Sequence, residues 1–279
     1  MKPPRSRDAA RASPSSYPRI FSLMMLKSYT GLSAASYDLW FGDEGFEDVD
    51  FFRDAIRDGG EPALEVACGT GRLLVPFVGD GLDVEGLDLS AEMLGICRWK
   101  AEEEGIQVTL HRAAMEAFAL DRRFRTIFVP FGSFMLLDDL DRARRALSCL
   151  RAHLDVGGRV LIPLHLPWLY DVGVEPAPPG EWRLRRVATR PEDDAVVRCF
   201  EHTSFDFDRQ VQDVKLRFEV VLAGEVIDRE ESEQRLRWYT QEEFAGLLDE
   251  VGFSDVAALE AYTWKPADTD SVSFLFVAS

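Results

Sequence analysis

The sequence predicts an α/β fold in which a mostly parallel sheet, covered by helices, is interrupted by an antiparallel β insertion before the C-terminal helix. Three observations predict it. From about residue 63 to residue 166, short apolar runs alternate with stretches of helical spacing, the pattern of a parallel sheet covered on both faces. Residues 182–238 instead alternate apolar and polar, best seen where Val214, Leu216, Phe218 and Val220 interleave with Asp213, Lys215, Arg217 and Glu219. A capped helix and two apolar runs then close the chain, so the α/β pattern resumes after the insertion.

The N-terminal segment, as far as Tyr29, is rich in Arg and Ser and nearly free of acids, a composition shared with transit and signal segments. Its apolar stretch Ile20 to Leu26 is short, carries Ser22 and is stopped by Lys27. Residues 1–27 therefore read as a disordered tail, or as the product of a start assigned ahead of Met24 or Met25. Tyr37 to Phe41 and Phe46 to Ile56 follow as short helices within an N-terminal helical unit, residues 28–60. Phe51, Phe52 and Ile56 share one apolar face of the second.

The first strand spans Ala63 to Ala67 and ends in a turn, Cys68 to Gly71. A helix through Leu73, Leu74, Phe77 and Val78 follows, with Pro76 a source of bend. The second strand is Val84 to Leu89, with Ser90 as cap for the next helix. Val108 to Arg112 and Thr126 to Pro130 are the third and fourth strands. Ala143, Leu147, Leu150 and Leu154 fall at helical spacing, and Gly157 with Gly158 should end that helix before a fifth strand, Val160 to Leu166. Beyond the insertion, Thr240 and Glu243 form a capping box for a helix ending at Gly252. The runs Val256 to Tyr262 and Val272 to Val277 are the last strands. Residues 61–166 and 239–279 thus form one domain, with 167–238 inserted.

Bulk properties narrow the function. A formal net charge of −17 disfavours nucleic acid and anionic membrane surfaces as partners. No apolar run reaches the length of a membrane span. The four cysteines form no CxxC pair and read as reduced thiols of a cytoplasmic protein. His111, His153 and His202 lack ligand spacing, so no metal site is expected. The oligomeric state stays open, a homodimer being one option.

The strongest local signal is Leu64-Glu65-Val66-Ala67-Cys68-Gly69-Thr70-Gly71-Arg72. A buried strand ends in a turn where Gly69 and Gly71 remove side chains from a ligand's path, at the carboxyl edge where open α/β sheets bind ligands. Leu74 stands where a nicotinamide fingerprint needs another Gly, and no Gly-Lys-Ser/Thr follows for a P-loop. Asp88 ends the second strand roughly twenty residues on, placed to bind two ribose hydroxyls.

These residues resemble those of the class I S-adenosylmethionine-dependent methyltransferases, whose first motif ends in an acidic residue, a small residue and GxG. The resemblance spans about residues 37 to 279 and implies a Rossmann-like class I sheet, mostly parallel with the last strand antiparallel. It implies S-adenosyl-L-methionine as cofactor, held by Glu65, Ala67, Cys68, Gly69, Gly71, Arg72 and Asp88. The segment Leu89-Ser90-Ala91-Glu92-Met93-Leu94 looks like the family's adenine-flanking segment, which adds Leu89 and Met93. Arg237-Trp238-Tyr239-Thr240 and Gly252-Phe253 are similar to its C-terminal part. Tyr37, Trp40 and Phe41 correspond to a lid helix, or else to ordinary core. The family often has Gly at the place of Ala67, and an adenine-binding acid at that of Ala114. Met115 and Glu116 follow, and backbone groups there or Glu116 would then serve. Phe124-Arg125 stands where Phe-Asp is frequent.

Pro130-Phe131-Gly132-Ser133-Phe134 follows the fourth strand, where the family faces the transferred methyl. It is not the Asn-Pro-Pro-aromatic loop of nucleic-acid amino methyltransferases, which favours a small-molecule acceptor. Candidate catalytic residues are Ser133, His165 as a base, and Tyr170, which with Trp168 would wall the cleft beneath the insertion; Arg237 and Tyr239 are further contributors. A structural histidine is the other reading of His165. Arg142, Arg144 and Arg145 read as a solvated helix face. Two other activities fit a fold of this kind: intramolecular displacement releasing methylthioadenosine, and non-catalytic cofactor binding.

Overall fold

A computed structural model of the chain describes residues 29–41, 47–167 and 181–279. The expected tail, Trp168 and Tyr170 lie outside the described residues. Among the described residues, three helices precede the sheet, α1 (Gly31–Ala35), α2 (Tyr37–Phe41) and α3 (Glu47–Gly59). Helix α3 begins with Glu47, Asp48 and Asp50, acids that favour the positive end of the helix dipole. It buries Phe51, Phe52, Ala55 and Ile56 as one stripe.

The α/β unit then runs β1 (Ala63–Val66), α4 (Leu74–Gly79), β2 (Val84–Asp88), α5 (Ala91–Glu103), β3 (Thr109–Arg112), β4 (Phe124–Phe128), α6 (Leu140–Ala152) and β5 (Leu154–His165). Four inserted strands follow: β6 (Arg183–Thr189), β7 (Val196–Asp206), β8 (Val211–Leu222) and β9 (Glu225–Arg237). Helix α7 (Gln241–Val251) and strands β10 (Ala257–Glu260) and β11 (Ser273–Ala278) complete the chain.

The larger sheet has the order β10-β11-β5-β4-β1-β2-β3. Strands β1 to β5 pair in parallel, while β11 runs antiparallel to both β5 and β10. The chain leaves β1 toward β2 and β3, then returns to the other side of β1 with β4. That reversal opens a crevice at the carboxyl ends of β1 and β4. Alternate residues of the strands feed two cores. Leu64, Val66, Ile127 and Ile162 pack with α6 and α7, whereas Ala63, Phe128 and Leu161 pack with Phe52 and Phe77.

The inserted strands form a separate antiparallel sheet, β6-β7-β8-β9. Val214, Leu216, Phe218 and Val220 are buried, as the alternation predicts. The sheet is tied to the N-terminal helices. Leu32 N–H donates to Glu230 at 2.6 Å, and the Arg186 guanidinium stands 4.8 Å from the Phe41 ring centroid. The capping box of α7 forms in full, Thr240 accepting from the Glu243 amide at 3.2 Å and Glu243 from the Thr240 amide at 2.8 Å. No helix among the described residues is long and apolar enough to cross a membrane.

Two element boundaries differ from expectation. Gly157 and Gly158 do not end a helix; α6 stops at Ala152 with His153 as cap, and both glycines lie within β5. There the pairing with β4 jumps from Phe124–Leu154 to Thr126–Arg159. Gly157 takes φ 69°, and a Cβ on Gly158 would come within 2.9 Å of the Phe124 carbonyl oxygen. The glycines therefore permit a bulge. The fourth strand also starts earlier and stops at Phe128, because Pro130 opens a 3₁₀ turn, Pro130–Leu136.

Candidate active site

The turn after β1 is built by left-handed residues: Ala67 at φ 63°, Gly69 at 54° and Gly71 at 78°. A glycine suits the first position, and an alanine bears a penalty of about 1–2 kcal/mol there. The Cys68 amide donates to the Leu87 carbonyl at 3.0 Å and the Gly71 amide to the Cys68 carbonyl at 2.9 Å, which fixes the turn against β2. Asp88 completes it by accepting from the Gly69 amide at 2.9 Å and the Ser90 amide at 2.8 Å. Burial raises the Asp88 pKa, and those amides pull it back.

Glu65, on β1, is 2% exposed, and its Oε2 has no hydrogen-bond partner among the described residues. Burial pushes its carboxyl well above the usual range; Arg72 opposes the shift, and Asp48 and Asp88 reinforce it. A buried carboxylate oxygen of this kind calls for a donor.

One cleft gathers most of the expected cofactor set. Tyr37, Glu65, Ala67, Cys68, Gly69, Arg72, Asp88, Leu89 and Met93 line it, as do Ala114, Met115, Glu116, Pro130 and Ser133. Gly71 does not. A Cβ there would stand 2.5 Å from Cys97 Sγ and 2.9 Å from Val75 Cγ2, so its missing side chain serves packing between the turn and α5 rather than ligand approach. Cys68 and Cys97 are free thiols buried beneath this turn.

Phe131, in the segment expected to face the transferred methyl, lines the cleft as well, and the lining also holds Tyr29 and Arg142, which the sequence reading did not assign. Tyr29 packs edge-on against Tyr37, with centroids 5.4 Å apart. Arg142 is not part of a solvated face: it pairs with Glu116 at 2.6 Å and Asp138 at 2.9 Å. Arg144 and Arg145 do lie toward solvent. The pair with Asp138 is local, but the pair with Glu116, from far along the chain, is not legible from spacing.

The expected acceptor residues are not all brought together. Ser133 lines the cleft and donates to the Pro130 carbonyl at 2.8 Å. His165 is absent from the lining and 3% exposed, and burial pushes its pKa down to about 3. It sits behind the turn, where a Cβ on Gly132 would stand 3.1 Å from its Nδ1. The ordinary imidazole pKa that suggested a base is lost with solvation. Tyr239 is buried against Phe134 and Phe244, outside the cleft lining. Arg237 turns to the Arg209 carbonyl at 2.9 Å. Trp40 and Phe41 stand outside the lining too. His111 pairs with Glu85, and His153 bridges the Leu120 amide and the Cys149 carbonyl.

Comparison with known proteins agrees with this architecture. Residues 63–158 match a family described as a methyltransferase domain. The chain is similar to dTDP-3-amino-3,4,6-trideoxy-alpha-D-glucopyranose N,N-dimethyltransferase of Streptomyces venezuelae, 31% identical over 48% of this chain and 56% of that protein. Just over half of that relative's length is thus spanned. It is also similar to dTDP-3-amino-3,6-dideoxy-alpha-D-glucopyranose N,N-dimethyltransferase of Streptomyces fradiae, 27% identical over 81% and 85% of the two chains. An S-adenosylmethionine-dependent methyltransferase from Clostridium acetobutylicum shares the fold, with a TM-score of 0.69 at 19% identity over 88% and 96% of the chains. The switch-point crevice floored by Gly69 and Asp88 thus lies within the segment that matches the methyltransferase domain, and the chain shares the fold of an S-adenosylmethionine-dependent methyltransferase.

Proposed function

We propose that the chain methylates the amine of a small amino sugar, of the kind named for its two Streptomyces relatives. The observation that carries the cofactor half is the buried Glu65 carboxyl facing the cleft, whose Oε2 has no hydrogen-bond partner among the described residues. An ammonium group fits it: the contact would supply the missing donor and neutralise the charge. Asp88 can still accept from a ribose hydroxyl, since its backbone amide partners do not fill every lone pair of the two carboxylate oxygens. Leu89 and Met93 offer apolar contact to an adenine, with the Ala114–Glu116 segment at its edge. When bound, S-adenosylmethionine supplies a methyl group on a sulfonium, an electrophile that needs no covalent help from the protein.

The chain's own task is then orientation and exclusion of water. Tyr29 and Tyr37 close one side, and the N-terminal helices are assigned a lid role on that basis. Burial raises the Tyr37 pKa, so it stays a neutral phenol. Pro130 and Ser133 stand on the side where the acceptor approaches, and the inserted sheet, β6 to β9, serves as its roof. The amine reacts in its neutral form, and the N-methylated ammonium that results sheds its proton to solvent, no histidine standing among the described lining residues. His165 supports the turn. The acidic net charge and the free thiols favour a cytoplasmic enzyme without a nucleic-acid partner.

The test is incubation of the full chain with S-adenosylmethionine and a dTDP-linked 3-amino-3,6-dideoxyhexose, followed by mass spectrometry. The expected products are S-adenosylhomocysteine and an N-methylated sugar. Release of methylthioadenosine, or return of both compounds unchanged, overturns the reading.

A further inference from the structure

Arg72 stands where three elements meet. Its guanidinium grips Asp48 of α3 as a fork, at 3.1 Å and 2.6 Å, with Arg72 8% and Asp48 1% exposed. The same guanidinium lies 3.8 Å from the Phe131 ring centroid. Phe131 has φ 60° and Gly132 φ 67°, so the chain passes through two left-handed residues on leaving β4. Glycine takes that conformation freely, and phenylalanine does not. Contacts around the ring must therefore hold Phe131 in place, and the guanidinium packed on it is one of them. The turn in question also sets where Pro130 and Ser133 stand in the cleft.

We propose that Arg72 is a positioning residue that locks the Pro130–Leu136 turn, and with it the acceptor's line of approach, instead of ligating the cofactor. The inference rests on the acceptor placement proposed above. Arg72 directly follows the cofactor turn in sequence, so one side chain couples both halves of the cleft and ties them to α3. Lysine could keep the charge beside Asp48, but it has neither the fork nor the flat face.

Three measurements on the full chain decide it: calorimetry with S-adenosylmethionine, amide exchange over residues 131–137, and turnover of the dTDP-linked amino sugar. Arg72→Lys and Phe131→Leu should each bind S-adenosylmethionine within about threefold of wild type, because a strut is not a ligand. Exchange in the turn should rise at least about tenfold as its conformation loosens. Turnover at saturating acceptor should fall about ten- to hundredfold, and the double variant should be no slower than the worse single one. Cofactor affinity weaker by about tenfold or more in Arg72→Lys, with unchanged exchange in the turn, would make Arg72 a ligand and overturn the proposal. Lowered melting with wild-type exchange and turnover would reduce it to a plain ion pair. Should Arg72→Lys fail to fold, Phe131→Leu carries the same readouts. If wild-type enzyme leaves the amino sugar unmethylated, the acceptor reading fails, while exchange and calorimetry still decide the role of Arg72.

Discussion

Glu65 and Asp88 are carboxylates on neighbouring strands whose surroundings set them different tasks. Both Asp88 oxygens accept from backbone amides, which holds the turn and leaves capacity for hydroxyl groups. Glu65 has an oxygen with no partner, and burial holds its proton above the ordinary glutamate range. The sign follows. A raised pKa in the folded state makes this group's contribution to stability present below the ordinary pKa and lost as pH rises through the raised value. An ammonium ligand needs the ionised form, so cofactor binding should expel a proton. Affinity measured by calorimetry should rise with pH above the ordinary glutamate range and flatten once Glu65 is ionised in the free protein. In Glu65→Gln the affinity should be weaker and that slope absent; an equal slope in the variant would refute the assignment. The acid-then-GxG spacing and the position of Asp88 made these two residues legible in the sequence. The burial of His165 and the pairing of Arg142 with Glu116 were not, because both depend on neighbours far along the chain.

Elements defined by local chemistry were legible almost to the residue. Helix α7 is the clearest case, since Thr240, Glu243 and Gly252 act within one turn of its ends. Thr240→Ala removes the oxygen that accepts from the Glu243 amide, at a cost of about 1 kcal/mol. In a chain of this size the melting midpoint should fall by roughly 2–4 °C. Cofactor affinity should not change, and an unchanged midpoint would show that the cap contributes nothing. The β5 glycines mark the opposite limit. A Gly-Gly pair after a helical stretch reads as a helix stop, yet here it relieves crowding against the Phe124 and Arg125 carbonyls of β4. Only a partner strand brought from elsewhere in the chain reveals that need. The turn at Pro130–Leu136 was likewise hidden, because nothing in the sequence announces a left-handed phenylalanine.

At the scale of the molecule, the alternation of strand and helix was enough to foresee a parallel sheet and its antiparallel interruption. What it left open was contact between distant parts, such as Leu32 with Glu230 across the inserted sheet. The thiols beneath the cofactor turn give that architecture a chemical clock. Cys68 and Cys97 are buried, and loss of solvation raises both, Cys97 to about 12. Alkylating reagents attack the thiolate, so neither sulfur reacts while the turn stays shut. Cys149, only partly covered, should take up iodoacetamide first. Label should reach Cys68 and Cys97 at the rate at which the turn breathes open, and S-adenosylmethionine should slow that rate. Equal labelling of all three sites in the folded protein would contradict the packing described. Otherwise the chain carries its own reporter, and a mass spectrum of alkylated peptides would time the opening of the turn that floors the cleft.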